Sequence, residues 1–170
     1  ATPKALRKAA AEGRVGAVAA LLEGGAAVDA VGSNGYTALI CAAAFGHAEC
    51  VRLLLEAGAA IDQADEQGAT PLFAACQDGH LEVAKLLSSY GASRAATPFG
   101  TPEEVATEEG HADLAVWLGA SRGWTPLAHL ETLTAARAPS LSSSCCCCFF
   151  VVVVVVLCCC CCVVVVLLLF

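Results

Sequence analysis

Apolar and small residues fall into short blocks separated by glycine, and the clearest block covers residues 68–92. Thr70 followed by Pro71 is typical of a helix start, because threonine accepts hydrogen bonds from free backbone N–H groups and proline fits the first helical position. Gly79 predicts the end of this helix after about two turns, in the left-handed conformation that glycine tolerates. A second helix then begins at His80, and three apolar positions share one of its faces: Val83, Leu86 and Leu87.

This two-helix block recurs along the chain at a constant period of about 33 residues. The recurring glycines are Gly13, Gly46 and Gly79 between the helices, and Gly25, Gly58 and Gly91 after the second helix. One such block cannot bury its apolar face alone, so several blocks must stack. The Thr-Pro-Leu, Gly-His and Gly-Ala landmarks at this period resemble those of the ankyrin repeat, and the resemblance covers roughly residues 3–122.

The resemblance implies an all-α fold, an ankyrin-repeat solenoid of stacked helix-turn-helix units followed by a low-complexity apolar tail. We expect one repeat domain over residues 1–137, then a Ser-rich linker over 138–144 and the Cys/Val/Leu tail over 145–170. The expected repeats cover about 3–34, 35–67, 68–98 and 99–122, with a partial repeat over 123–137.

The first repeat departs from the motif because Gly13 is followed by Arg14 where the later repeats have histidine. Its first helix also carries three basic residues: Lys4, Arg7 and Lys8. An N-terminal repeat has no neighbour on one side, so a polar outer face is expected there.

The pattern also decays toward the C-terminus. In the fourth repeat Glu103 takes the position that Leu39 and Leu72 hold in earlier repeats. The motif restarts at Gly123, and its threonine, Thr125, follows Thr101 too closely for a full second loop to fit between them. This spacing predicts either a half-repeat that caps the stack or the start of a further repeat.

Charge and cysteine content narrow the class of partner and compartment. The chain has 9 basic and 16 acidic residues, a net charge of −7, which disfavours nucleic acid and favours a basic or apolar protein partner. Nine of the 12 cysteines lie in the tail, and Cys41, Cys50 and Cys76 are interpreted as small core residues. Because their spacing indicates no disulfide framework, we expect a reduced, cytoplasmic repeat domain.

The tail over residues 145–170 has three interpretations. Its unbroken apolar run exceeds the roughly 20 residues that cross a bilayer as a helix, which predicts a membrane anchor, although no basic flank or aromatic belt accompanies it. Blocks of Val, Cys and Leu also fit the three frames of a translated trinucleotide repeat. A metal site is disfavoured, because adjacent cysteines lack the two-residue gap of zinc knuckles.

No constellation of residues in the sequence predicts catalysis. His47, His80 and His111 recur at one repeat position, and we interpret them as turn histidines that bond neighbouring backbone. They belong to different repeats, too far apart for one metal ion, and the glycines match no phosphate-binding loop. We therefore expect no enzyme activity, no cofactor and no metal.

The resemblance implies a binding surface made of loop tips and the concave face of the first helices. Carried onto this chain, it selects ten residues: Ser33, Asn34, Tyr36, Phe45, Glu66, Gln67, Gln77, Asp78, Glu108 and Glu109. Tyr36 and Phe45 are aromatic where exposure is expected, and tyrosine is enriched at binding hot spots. We also expect an acidic stripe that would steer a basic partner: Asp65, Glu66, Asp78, Glu103, Glu104, Glu108 and Glu109.

These patterns predict a non-catalytic module that binds another protein, with no specific oligomer implied. Two alternatives remain open from sequence. The chain is a membrane-tethered scaffold if residues 145–170 are an anchor, since membrane contact is expected only through them. It is the partner-recruiting part of a larger enzyme if the reading frame continues into a catalytic domain.

Overall fold

The computed structural model describes residues 2–32 and 34–123. Within these ranges the chain forms α-helices and, apart from an isolated bridge between Thr97 and Gly100, no β-structure. The helices are α1 (Pro3–Ala11), α2 (Val15–Glu23), α3 (Ala38–Ala44), α4 (Ala48–Glu56), α5 (Pro71–Gln77), α6 (Leu81–Ser89), α7 (Pro102–Glu108) and α8 (Ala112–Ala120). The all-helical fold class expected for the repeats is confirmed over this part of the chain.

Threonine caps begin three of the first helices, including the one at Thr70 that the sequence predicts. The hydroxyl oxygens of Thr37, Thr70 and Thr101 each accept a hydrogen bond from the backbone N–H three residues later, at 3.2 Å. Thr101 adds a reciprocal bond, because its backbone N–H donates to the Glu104 carboxylate at 2.8 Å. Each cap satisfies donors that a helix N-terminus would otherwise leave free.

The helices form two layers. The first helices of the repeats (α1, α3, α5, α7) pack side by side, and the second helices (α2, α4, α6, α8) form a layer against them. The core between the layers is aliphatic and small, and it includes Leu54 and Leu87, both 0% exposed. Leu54 and Leu87 hold the same position in successive repeats, as the 33-residue period predicts. Each repeat buries its apolar face against its neighbours, which is how a solenoid is stabilised.

Each Gly-His pair joins one repeat to the next. The Nε2–H group of His80 donates to the carbonyl oxygen of Ala44, at the end of α3, over 2.9 Å. The His80 ring lies so close to Gly46 that a Cβ added to this glycine would fall 2.6 Å from Nδ1, and Gly46 has φ +74°. Glycine is thus required twice, for its backbone conformation and for the approach of the next repeat.

The same contact explains why the first repeat keeps the glycine but not the histidine. His47 bonds Ala11 of the first repeat at 3.0 Å and lies over Gly13, so this repeat keeps the glycine that receives the histidine. Arg14 replaces histidine there, and no earlier repeat precedes it in the part of the chain described. The interpretation of the recurring histidines as backbone-bonding turn residues is confirmed, with the addition that each bond crosses to the preceding repeat.

The contact between the third and fourth repeats keeps the histidine bond, from His111 to the carbonyl oxygen of Gln77 at 3.0 Å, and adds an arginine. Arg94 stands where the earlier loops place Val28 and Ile61. Its guanidinium donates to the carbonyl oxygen of Leu118 at 3.1 Å and lies 5.3 Å from the centre of the Trp117 ring. Burial lowers the pKa of Arg94, yet these contacts on α8 hold the charge in place.

The interpretation of the cysteines as buried core residues needs one correction. Cys50 and Cys76 are buried, but Cys41 is only half-buried, because it shares a face of α3 with Ala44, which is also half-buried. Burial raises the pKa of the Cys76 thiol to about 12, so this thiol is protonated at neutral pH.

Three sequence predictions lie outside the described residues: the partial repeat beyond Gly123, the linker over 138–144 and the tail over 145–170. Among the helices that are described, none is both long and apolar enough to cross a membrane.

Candidate binding groove

A groove of about 470 Å³ runs across the second, third and fourth repeats, between the loop tips and the first helices. We call this surface the groove. Its lining residues are Tyr36, Ile40, Ala44, Asp65, Gln67, Ala69, Phe73, Ala74, Gln77, Asp78, Phe99, Val105, Glu108 and Glu109. No lysine or arginine is among these described lining residues, so the groove combines apolar surface with one sign of charge.

Aromatic side chains line the loop-tip side of the groove. Phe73 on α5 is 4% exposed and forms part of the floor, and its ring centre lies 5.7 Å from that of Phe99 in the next loop. Phe99 and Tyr36 remain 51% and 40% exposed. Exposed aromatic rings that rest on an apolar floor can bury large area against a partner at low entropic cost.

Carboxylates occupy the opposite side, at the C-terminal ends of the first helices. Asp78 is the residue after α5, Glu108 is the last residue of α7, and Glu109 follows it. All three are exposed, and none takes part in an ion pair within the described part of the chain. A helix C-terminus carries partial negative charge, so a carboxylate placed there is locally unfavourable.

Asp65 has a structural role at the groove edge. Its Oδ1 atom accepts hydrogen bonds from the backbone N–H groups of Gln67 and Ala69, both at 2.9 Å. This arrangement is the local turn that aspartate favours in loops. It fixes the loop tip before α5 and thereby the position of Gln67 on the rim.

Six of the ten residues selected from sequence line the groove: Tyr36, Gln67, Gln77, Asp78, Glu108 and Glu109. Ser33 lies outside the described residues. Asn34 and Glu66 are exposed on adjacent loop tips, where the backbone N–H of Glu66 donates to the carbonyl oxygen of Asn34 at 3.4 Å. Phe45 is 61% exposed at the end of α3 but is not part of the lining.

The expected acidic stripe is shorter than the sequence suggested, and including Glu103 and Glu104 in it was wrong. The Glu103 carboxylate accepts from Arg122 at 2.6 Å and shares a separate depression with Arg94 and Leu118. The Glu104 carboxylate is held at the start of α7 by the backbone N–H of Thr101, which lowers the pKa of this group. Both charges serve local structure.

Sequence reasoning missed four apolar groove residues: Ile40, Phe73, Phe99 and Val105. Ile40 and Phe73 occupy the same position in successive repeats, so the recurrence of a large apolar side chain could have revealed two of them. The sequence indicated less clearly that Phe99 lines the groove, because the equivalent positions in the earlier repeats hold glycines, Gly35 and Gly68.

The described residues contain no group of three or more His, Cys, Asp or Glu that could hold a metal ion. His47, His80 and His111 each bond a different carbonyl oxygen, so their Nε2 atoms are occupied by the repeat contacts.

Comparison with protein families agrees with the architecture. A family model of ankyrin repeats in three copies matches residues 6–98, which is more than half of the chain. No significant match is found among curated proteins. Ankyrin repeats are in general modules for protein–protein interaction. The match extends over α1 to α6, whose Gly-His contacts, threonine caps and two-layer packing are described above, and the chain belongs to the ankyrin-repeat family.

Proposed function

We propose that this chain is a non-catalytic binding module that holds another protein in the groove. Membership of the ankyrin-repeat family supports the general class of function. The observation that carries the proposal is the pairing of exposed aromatic rings with carboxylates that have no ion pair among the described residues, on one surface shared by three repeats.

The size of the groove indicates how a partner would engage it. A volume of about 470 Å³ lies within the roughly 300–1,000 Å³ typical of small-molecule sites, so it takes a few side chains rather than a folded domain. The loop tips around it, at Asn34 and Glu66, add exposed polar surface on one side. A partner would therefore place a short segment in the groove and contact the rim more loosely.

The test begins with a partner captured by the full chain and then measures binding of variants to that purified partner. Tyr36→Ala and Phe99→Ala should each speed dissociation by about fivefold or more, because a desolvated aromatic contact is typically worth more than about 1 kcal/mol. Val116→Ala is the matched control, since Val116 is 72% exposed on α8. It should leave both rate constants unchanged.

Phe45→Ala separates the groove from the wider surface selected by sequence. Phe45 lies outside the groove lining, so its loss should matter less than the loss of Tyr36. If neither Tyr36→Ala nor Phe99→Ala changes the dissociation rate of the captured partner, the groove is not the binding surface. The chain would then bind its partner elsewhere.

A second candidate function, attachment to a membrane, is favoured by the unbroken apolar run from Cys145 to Phe170. The full chain should then sediment with membranes and resist alkaline carbonate extraction, while residues 1–144 should remain in the supernatant. A full chain that stays soluble and monomeric would exclude this function.

A further inference from the structure

The groove has a direction, because its charge changes from one repeat to the next. The two positions at the end of the first helix are Ala44 and Phe45 in the second repeat, Gln77 and Asp78 in the third, and Glu108 and Glu109 in the fourth. The number of carboxylates at these positions therefore rises from none to one to two. Negative charge in the groove is therefore greatest at the end of α7 and absent at the end of α3.

Basic residues mark the other end of the same helix layer. Lys4 and Lys8 are exposed on α1, and Arg7 holds the position in the first repeat that Ile40, a groove residue, holds in the second. The acid in this repeat, Glu12, already pairs with Lys8 at 3.8 Å. A positively charged segment is thus repelled at α1 and attracted at α7.

We propose that the groove binds a linear peptide segment that carries one large apolar side chain followed or preceded by lysine or arginine, with its basic end at the fourth repeat. The apolar side chain lies over Phe73, between the rings of Tyr36 and Phe99. The basic side chains reach three carboxylates: Asp78, Glu108 and Glu109. This inference rests on the proposed function and specifies the partner's chemistry and its orientation.

The separation of the two features in the peptide follows from helix packing. Neighbouring helices pack roughly 8–10 Å apart, so one to two repeat widths correspond to about 8–20 Å. An extended chain advances about 3.3 Å per residue, which places the basic residues roughly two to six positions from the apolar one.

The probe is a seven-residue peptide, acetyl-Bpa-Ser-Gly-Arg-Gly-Arg-Arg-amide, in which Bpa is the photoreactive apolar residue p-benzoylphenylalanine. A second peptide carries leucine at the first position and Bpa between the arginines. Peptides with the reversed order test the other chain direction, and peptides with glutamine for arginine are neutral controls. The full chain is used in a non-ionic detergent, which keeps the apolar tail dispersed without adding charge.

Binding is measured by fluorescence anisotropy with three substitutions in the groove, Asp78→Asn, Glu108→Gln and Glu109→Gln, made together. This triple variant should weaken binding of the arginine peptide by about tenfold or more at low salt, and the glutamine peptide should not respond. The matched control neutralises three exposed acids on second helices, Glu23→Gln, Glu82→Gln and Asp113→Asn. It should change binding by less than about twofold.

Photocrosslinking then reads the orientation. Bpa at the apolar end should label the surface around Tyr36 and Phe73, and Bpa at the basic end should label the C-terminal end of α7. Labelling in the reverse sense would overturn the orientation. The proposed peptide chemistry would be overturned if the two triple variants had equal effects, or if no arginine peptide bound. The proposed function would still be supported by a captured partner whose dissociation responds to Tyr36→Ala.

Self-association is the competing occupant, since the basic α1 of one copy could enter the groove of another. Sedimentation of the full chain in the same detergent should show a monomer across the concentrations used. A concentration-dependent dimer that the groove triple variant abolishes would assign the groove to a second copy and overturn the peptide proposal.

Discussion

Carboxylates on two of the second helices, called the outer helices here, form ion pairs, whereas three carboxylates in the groove form none within the described residues. On α4, Arg52 pairs with Glu49 at 2.9 Å and with Glu56 at 2.6 Å, and on α6 Lys85 pairs with Glu82 at 2.9 Å. In the groove, three carboxylates lack such pairs among the described residues: Asp78, Glu108 and Glu109. On α4 and α6 the acidic charge is partly compensated within the helix, whereas within the described residues the groove carboxylates have no such compensation.

The difference comes from spacing. The paired charges on α4 and α6 stand three or four residues apart on one helix, so they satisfy each other within that helix. Groove carboxylates lie at helix C-termini, where no lysine or arginine stands three or four residues away and where the helix dipole adds negative potential. Glu56 ends α4 in the same way, but Arg52 stands four residues before it and pairs with it. Residues that break a local preference without a compensating contact are expected at functional sites.

The largest effect should come from the core that supports both surfaces. Leu54→Ala or Leu87→Ala should each lower the free energy of unfolding by about 2–5 kcal/mol, because a buried leucine is replaced by a cavity. Chemical denaturation of residues 1–144 measures this. Val116→Ala on the exposed face of α8 should change it by less than about 0.5 kcal/mol. Losses below that value at both leucines would mean that the repeats are stacked differently.

A smaller effect should come from the glycines that receive the histidines. Gly46→Ala should lower the free energy of unfolding by about 1–3 kcal/mol, since alanine is strained at positive φ and its Cβ would meet the His80 ring. Gly58 also has a positive φ, +85°, but a Cβ added there would meet no atom within 4 Å. Gly58→Ala therefore adds backbone strain without a steric clash and should lower the free energy of unfolding by less than Gly46→Ala.

Gly16→Ala is the control of opposite sign. Gly16 lies in α2 with open space around it, so alanine should raise the free energy of unfolding by about 0.5–1 kcal/mol. If Gly46→Ala and Gly58→Ala cost the same, the histidine contact across the repeats contributes nothing measurable.

The smallest effect should distinguish the two sets of carboxylates directly. Glu109→Gln should raise the melting temperature slightly, because it removes a negative charge from the C-terminus of α7. Glu49→Gln should lower it slightly, because it removes one of the two partners of Arg52 and a favourable negative charge from the first turn of α4. Melting curves at low and high salt check the signs, and both shifts should shrink as salt rises. If both variants shifted the melting temperature in the same direction, the groove carboxylates and the paired carboxylates of α4 would not differ in their effect on stability.

The helices and their layers could be predicted from sequence because their determinants are local. A threonine cap, a proline in the first turn and a glycine at the end each act within a few residues, and the constant repeat period set how the blocks stack. The burial of Leu54 and Leu87 followed from that register. Six residues selected for binding line the groove for the same reason, since equivalent positions in a stack share a surface.

What the sequence did not predict depends on irregular geometry. The interval from Thr70 to Thr101 is shorter than the one from Thr37 to Thr70, and the shorter loop brings the Phe99 ring against Phe73. The ion pair between Glu103 and Arg122 joins two helix ends at a separation that no periodic pattern indicates. Because such contacts arise where the repeat is broken, a periodic template cannot place them.

The claim that the groove attracts a basic segment is tested most directly by association rates with a purified partner at two salt concentrations. The triple variant at Asp78, Glu108 and Glu109 should slow association at low salt and flatten its salt dependence, because exposed charges steer encounter over about a Debye length. The triple variant at Glu23, Glu82 and Asp113 should retain the salt dependence of the original chain. Equal slowing by both variants would show that only net charge matters, and would contradict the groove as the site.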